Sequence, residues 1–431
     1  MAVLEGTATF GMEASRALGE RLSDSPRMAA LRRDAAAAAS VLKWPDAHAS
    51  RPWKYWDPSR LSLEGYVPAM DTVTRSSGAP RSCPVTGEHA AVLAQENSET
   101  VFTEEAVAGL TVIPFEASDQ AATQKLIDEY LGKAVAFDRS KLTALHYAFQ
   151  RGGVLVHVAA NVEIALPVRL LRTFLSAGQF AAPHTLIVTG ANSRVSVVED
   201  YHSGDGDTLV FPAVEVFPGP GAEVRYTAIH RWGPNTRVFG EQRMVAQRDS
   251  SFIGTSVAVG GRVVKSHIES SLEGRGSSSE LFGLGFGTGD EHLDTFTLQD
   301  HIGPDTRSNL LYKSALRDRS RGVYYGLTRV GLGARNADAN QENRNLLLSS
   351  TAKADSDPVL EILTSDILRC SHGATAGPVD QEQLYYLQTR GIPHRAAEAL
   401  LVRAFLNQVL DRVPDEALRD ELAAALDAKL A

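Results

Sequence analysis

At 431 residues the chain exceeds the usual single-domain size, so two or three folding units are expected. Its hydrophobic content of 43% is ample for a core and argues against wholesale disorder. A net charge of -9, with no basic cluster, excludes a general nucleic-acid binder, which needs a basic footprint. The N-terminus lacks a charged segment leading into an apolar one, and no apolar run is long enough to span a bilayer. A cytoplasmic protein is therefore expected. The two cysteines, Cys83 and Cys370, are too few for a disulfide framework in a chain of this size.

Residues 1–150 read as a mostly helical region. From Ala14 to Leu42 the alanine-rich sequence favours helix, and Pro45 and Pro52 then punctuate it. Trp44, Trp53, Tyr55 and Trp56 cluster around Arg51-Pro-Trp-Lys-Tyr-Trp, either as a docking surface or as a satellite core under a loop. Residues 73–99, rich in Ser, Gly, Pro and Glu, read as a flexible loop. Cys83 sits within it with no second thiol or histidine at ligand spacing and is treated as incidental. Ser118-Asp119 opens a helix toward Gly132, and Ser140 caps another running to Gln150.

From 151 to 365 the pattern changes to short strands broken by Gly, Asn, Asp and Pro. Val154, Val156 and Val158 alternate with Leu155, His157 and Ala159, and Val224, Tyr226 and Ala228 with Glu223, Arg225 and Thr227. Such runs fit a large sandwich, a barrel, a propeller or a β-helix; the lack of a fixed-length repeat weakens the propeller. Residues 366–431 read as a helical domain. Asp380 with Gln383 forms a capping-box pattern, Gly391 suits a C′ position, and Pro393 and Pro414 start further helices. Ala397, Leu400, Leu401, Phe405 and Val409 give a stripe for internal packing or for a partner.

Cys370 and His372 carry the most informative chemistry. Residues two apart in an extended segment project from one side, so these two face one target while Ser371 points away. A thiolate and an imidazole suit iron, zinc or an iron–sulfur cluster, not hard cations. The competing reading is a buried cysteine beside a structural histidine. A cluster needs about four protein ligands, mostly thiolates, so the missing ones would have to come from another chain or from small molecules. Any cluster role would thus be an interface role. No phosphate loop, dinucleotide glycine motif, nucleophile elbow or zinc helix is present. Glu291, His292, Asp294 and His301, like Tyr201-His202 and His267-Ile-Glu269, read as turn residues or satisfied side chains of a β-scaffold rather than as sites.

The segments Ser320-Arg-Gly-Val-Tyr-Tyr-Gly-Leu-Thr-Arg-Val and Asn336-Ala-Asp-Ala-Asn-Gln-Glu-Asn-Arg-Asn-Leu-Leu-Leu-Ser349 resemble the core of the SufB/SufD family of the SUF iron–sulfur cluster assembly system. Asp355-Ser-Asp-Pro-Val-Leu-Glu-Ile, Cys370-Ser-His-Gly-Ala-Thr375 and Leu384-Tyr-Tyr-Leu-Gln-Thr-Arg-Gly-Ile392 extend the match. Cys-Ser-His-Gly-Ala-Thr looks like the SufD branch, and Trp53-Lys54-Tyr55 resembles an N-terminal element of that branch. The resemblance is closest from about Arg319 onward.

The resemblance implies a mainly β fold: a right-handed parallel β-helix core flanked by N-terminal and C-terminal helical regions. It implies a non-catalytic scaffold subunit that pairs with SufB through the β-helix core in a SufBCD complex. The C-terminal helices would dock the SufC ATPase, with Leu384, Tyr385, Tyr386, Arg390, Leu401 and Phe405 as candidate contacts. ATP hydrolysis would belong to SufC, in keeping with the missing phosphate loop. His372 matches the histidine implicated in nascent cluster formation at the subunit interface, and Cys370 is a weaker candidate beside it. The iron–sulfur cluster would be transient and shared with the partner; a flavin and a homodimer of the isolated chain stay open. Two other functions compete: a secreted-type β-helix carbohydrate-active enzyme, and a purely structural β-helix subunit without a metal role.

Overall fold

The computed structural model describes residues 9–68, 88–105, 107–117, 121–413 and 416–430. Cys83, Ser118-Asp119 and Pro414, singled out above, lie outside them. The helix expected over Ala14–Leu42 is two helices, α1 (Met12–Leu22) and α2 (Pro26–Val41). Ser23 ends α1 in the left-handed region at φ 57°, and Ser25 accepts a hydrogen bond from Met28 N with Pro26 at the first helical position. A cap and a proline thus override the alanine propensity that runs through both. Helices α3 (Ala121–Tyr130) and α4 (Lys141–Ala148) follow, α4 closed by a reciprocal Ser140–Thr143 capping box.

From Gly153 to Pro378 the chain winds into a parallel β-solenoid of about eight turns, the architecture implied by the family resemblance. One sheet contains β1 (Gly153–Val158), β3 (His184–Thr189), β5 (Ala213–Phe217), β7 (Arg237–Ala246), β9 (Val263–Leu272), β11 (His292–His301), β13 (Arg321–Val330) and β15 (Lys353–Ile362). The other contains β2 (Val168–Phe174), β4 (Arg194–Ser203), β6 (Glu223–Arg231), β8 (Ser251–Ala258), β10 (Ser278–Gly287), β12 (Arg307–Leu316), β14 (Ala337–Leu347) and β16 (Ile367–Pro378). Each strand pairs in parallel with the strand two along in sequence, as Glu223 lies opposite Ser251 and Ser278 opposite Arg307. The alternation seen in the sequence is the inside–outside alternation of this coil: Val154, Val156, Val224 and Tyr226 line a common interior cluster.

The turn length varies because one corner, not a fixed loop, is repeated. Asn192, Gly221, Asp249, Gly276, Asp305 and Asn336 all have φ between 55° and 74°. Each is followed by a small buried residue: Ser193, Ala222, Ser250, Ser277, Thr306 and Ala337. Only Gly, Asn and Asp take that backbone conformation at low cost, and only a small side chain fits inside the bend.

The two ends of the solenoid differ. At the first end, Ala91–Glu96 pairs in parallel with β2 and antiparallel with Glu99–Glu105, and Leu110–Pro114 pairs antiparallel with β1. These strands fall in the region expected to be mostly helical, and Ala91–Glu96 inside the span expected to be a flexible loop. Helix α4 lies against the adjoining sheet, fixed by a buried chain in which His146 Nδ1 donates to Phe211 O (2.7 Å) and His146 Nε2 meets His184 Nδ1 (3.0 Å). At the last end, β15 and β16 are the terminal strands of their sheets. The solenoid therefore extends past residue 366, where the C-terminal helical domain was expected to begin. Helices α5 (Gln381–Thr389), α6 (His394–Leu410) and α7 (Glu416–Leu430) follow, and α6 and α7 fold back onto the outside of the second sheet. There Val402, Leu406, Val409, Leu418, Leu422 and Leu426 pack with Phe282, Leu284, Phe286 and Leu311. Each such buried side chain stabilises by about 1.5–3 kcal/mol relative to exposure.

Burial holds three histidines neutral and sets a pH dependence. Desolvation pushes His146 down to about 3, and His230 and His301 down to about 4. The unfolded chain takes up these protons near 6.5 and the folded chain does not. Stability from these groups is therefore complete above pH 6.5 and is lost as pH falls toward 4. Thermal unfolding midpoints are expected to drop over that window, and His301→Asn is expected to flatten the drop.

Candidate functional site

The candidate site is the open end of the solenoid. Terminal strands β15 and β16 are 10 and 12 residues long, and most of their residues are half-buried or exposed. Among the described residues, each carries one row of backbone N–H and C=O groups with no strand beyond it. An isolated protein usually blunts such edges, so two long ones side by side form a surface suited to strand pairing. Apolar side chains stand at the same end: Ile362, Leu363 and Leu368 are 41%, 50% and 64% exposed.

Cys370 and His372 lie on β16, in register with Ala339 and Gln341 of β14. Ala339 and Gln341 are buried inside the coil at 0% and 1% exposure, so Cys370 and His372 share the inner face at its mouth. Ser371 points the other way and donates to Asn340 Oδ1 at 2.9 Å, extending an outer ladder in which Asn340 donates to Asn309. The two candidate ligands differ in surroundings. Cys370 packs, as Ile367 does, against the cluster of Val330, Ala334 and Ala337, and burial pushes its thiol above the ordinary value. A raised thiol pKa disfavours the thiolate that a metal requires. His372 is exposed. Of the two, His372 is the more accessible.

Beneath the mouth the interior is polar. Gln341, Thr328, Gln299, Tyr324 and Asn343 are all buried. Thr328 Oγ1 donates to Gln341 Oε1 (3.0 Å) and lies 3.4 Å from Gln299 Oε1, Tyr324 Oη meets Thr297 Oγ1 (3.0 Å), and Ser356 donates to Asn343 (2.7 Å). Sequence reasoning missed this layer. Its signal is the period-two run of amides Gln341, Asn343 and Asn345 in a strand, which places three polar groups on one face.

The candidate docking residues separate into two groups. Tyr385 and Tyr386 of α5 are 70% and 56% exposed, and the Arg390 guanidinium stacks on the Tyr386 ring at 5.2 Å. Leu384 is buried, and Leu401 and Phe405 pack against the solenoid, where Lys313 Nζ donates to Phe405 O at 2.8 Å. These three serve the internal face of the helices, because the apolar stripe turns inward. Tyr385, Tyr386 and Arg390, with the half-exposed Leu400, remain on the surface.

The tryptophan cluster is a satellite core on the outside of the first sheet. Trp53 stacks on Phe239 (6.2 Å, 22°), Lys265 Nζ lies 4.7 Å from the Trp53 ring, and Tyr55 donates to Asp357 of β15. The other polar clusters do not converge. Asp294 faces Lys265 (2.8 Å) and His292, whereas His301 binds Thr306 and Ser308 at the far end of the same strand. His202 faces Asp200, and His267 faces Glu241. Among the described residues no group of three or more His, Cys, Asp or Glu could hold a metal ion. Nor, among them, is any helix long and apolar enough to cross a membrane.

Residues 173–405 match the family model described as the SUF system FeS cluster assembly, SufBD core domain. The iron-sulfur cluster assembly protein SufD of Bacillus subtilis is 31% identical over 310 residues, covering 71% of this chain and 70% of that protein. An iron-sulfur cluster assembly SufBD family protein of Mycobacterium tuberculosis is 31% identical over 67% of this chain and 74% of its own length. The iron-sulfur cluster assembly protein SufD of Escherichia coli is 31% identical over 46% of each chain.

Proposed function

The chain belongs to the SufB/SufD family of the SUF iron–sulfur cluster assembly system, and on that premise we propose that it is the SufD-type scaffold subunit of a cytoplasmic SufBCD complex. Its open end pairs with SufB, its C-terminal helices dock the SufC ATPase, and His372 supplies one ligand to a cluster assembled between the subunits. The cluster is cargo here, and the scaffold itself makes no bonds. The observation that carries this reading is the position of His372. It stands exposed on the inner face of an uncovered terminal strand, where a partner's strand would bring further ligands beside it. One donor cannot hold a cluster, and at such a joint the remainder come from the partner. An imidazole also releases metal on protonation more readily than a thiolate, which suits a cluster that must leave.

The same strand offers a route for coupling to ATP hydrolysis. Between the end of β16 at Pro378 and the start of α5 at Gln381 stand only Val379, which is buried, and Asp380, which caps α5 through Glu382 N and Gln383 N. Motion of α5 on SufC therefore passes into the strand that bears His372. In this mechanism, ATP-driven SufC dimerisation pulls on the C-terminal helices, shifts the joint with SufB, and uncovers His372 and a partner cysteine for iron and sulfide.

Co-expression with SufB and SufC tests the docking. Tyr386→Ala with Arg390→Ala, both on the exposed face, is expected to lower SufC retention about tenfold or more, as loss of an aromatic–Arg anchor does. SufB retention should not change. Undiminished SufC binding would move the docking site away from α5.

A further inference from the structure

His372 has a buried polar neighbour in its own column of the coil. In the column that ends at His372, Gln341 lies one strand below it, and the next residues down are Leu310 and Leu281. A single amide thus interrupts an apolar column immediately beneath the imidazole, about 4.8 Å away along the ladder. Burying an amide costs free energy unless its polar atoms are used. Here the oxygen is held, while the buried amide nitrogen has no hydrogen-bond partner among the described residues. Thr328 Oγ1 donates to Gln341 Oε1 at 3.0 Å, and the amide nitrogen lies over Gly326 beside Tyr324 Oη. A Cβ at Gly326 would collide with both that nitrogen and the tyrosine oxygen, so the glycine makes the space that the amide occupies.

An amide oxygen has two lone pairs, so Gln341 Oε1 can accept a second hydrogen bond beside the one from Thr328. A neutral imidazole that binds metal through one ring nitrogen carries its proton on the other, and that N–H requires an acceptor to fix the ring. We propose that Gln341 is a positioning residue for His372. Its amide oxygen receives the ring N–H from below, selects one tautomer, and aims the other ring nitrogen out of the mouth. This inference rests on the reading of His372 as a cluster ligand, and the tests below separate the two.

The isolated full-length chain, labelled with 15N-histidine, gives the direct readout, with His372→Gln identifying the signal. In wild type the His372 ring is expected to show one dominant tautomer. Gln341→Met, which keeps the length but removes the acceptor, is expected to return it to the mixture of a free imidazole. Thr328→Val, which frees the amide without shortening it, is expected to give an intermediate tautomer ratio. In the co-expressed complex, Gln341→Met is expected to lower cluster content about tenfold while subunit stoichiometry is unchanged, the usual size of a loss behind a metal-binding histidine. If the tautomer ratio moves in none of these variants, Gln341 does not hold the ring and the proposal is wrong. If the ring responds as expected but His372→Ala complexes keep their cluster, the contact stands and the assignment of His372 as a ligand is what fails.

Discussion

Replacing Leu363 and Leu368 together with glutamate is expected to abolish pairing with SufB while leaving the isolated chain folded. Both side chains are at least half exposed in this chain, so the substitutions bury no charge in it and cost little stability. They stand where β15 hands over to β16, at the uncovered end of both sheets. If that end is the joint with SufB, two carboxylates become buried there without partners. The penalty is several kcal/mol, and affinity falls by about a hundredfold or more. Size-exclusion chromatography and titration calorimetry of the purified subunits measure it directly. Unaltered affinity would mean that the partner approaches by another surface, and the long exposed edges would then need a different explanation.

Glu215→Ala is expected to be the most damaging change for the fold itself. The Glu215 carboxylate is fully buried and accepts hydrogen bonds from the backbone N–H groups of Gly132, Ala134 and Val135 at 2.7–2.8 Å. It also lies 3.2 Å from His184 Nε2 and within reach of the Tyr147 hydroxyl. It therefore ties the loop between α3 and α4 to β5, and through His184 and His146 it ties α4 to the same sheet. Removing it orphans three backbone donors at once and takes away the carboxylate that faces His184. Breaking a buried network of this kind costs about 3–5 kcal/mol. Trp44, Trp53 and Trp56 pack against this same core, so tryptophan emission during urea unfolding reports the loss. An unchanged midpoint would show that the loop is held by other contacts.

How much of this was legible in the sequence varies by element. Ser140 and Asp380 announced their helices because a cap is a local hydrogen bond between neighbours in the chain. The inside–outside alternation was also visible where the inner face is apolar, as at Val154, Val156 and Val158. Choosing the solenoid over a sandwich or barrel came only from the family resemblance. The repeat that defines it is a single left-handed corner residue followed by a small one, recurring 27 to 31 positions apart from Asn192 to Asn336. A pattern of two residues per turn, drawn from Asn, Gly and Asp and then Ser, Ala and Thr, is too sparse to stand out by eye. β16 escaped notice as a full strand because its inner positions, Cys370, His372, Ala374 and Ala376, present no apolar alternation. At the mouth of the coil there is no core for them to fill. Leu401 and Phe405 looked available for docking because a helical stripe does not reveal which neighbour it packs on; here it packs on the solenoid.

The site was legible in part. The spacing of Cys370 and His372 implied that they face one way, and the ligand count implied an interface. What the spacing could not convey is their difference in burial: the thiol is half-buried and the imidazole exposed. Nor could it convey that Gln341, distant in sequence, lies next to His372 through the parallel register.

The central claim is that His372 contributes a ligand at a joint completed by the partner. Its most direct test is cluster content in anaerobically purified SufBCD complexes that carry His372→Ala, compared with wild type at equal subunit stoichiometry. The account predicts an intact complex that has lost most of its iron and acid-labile sulfide, with Cys370→Ala showing a much smaller loss. An intact His372→Ala complex with a normal cluster would contradict it and reduce this chain to a structural scaffold.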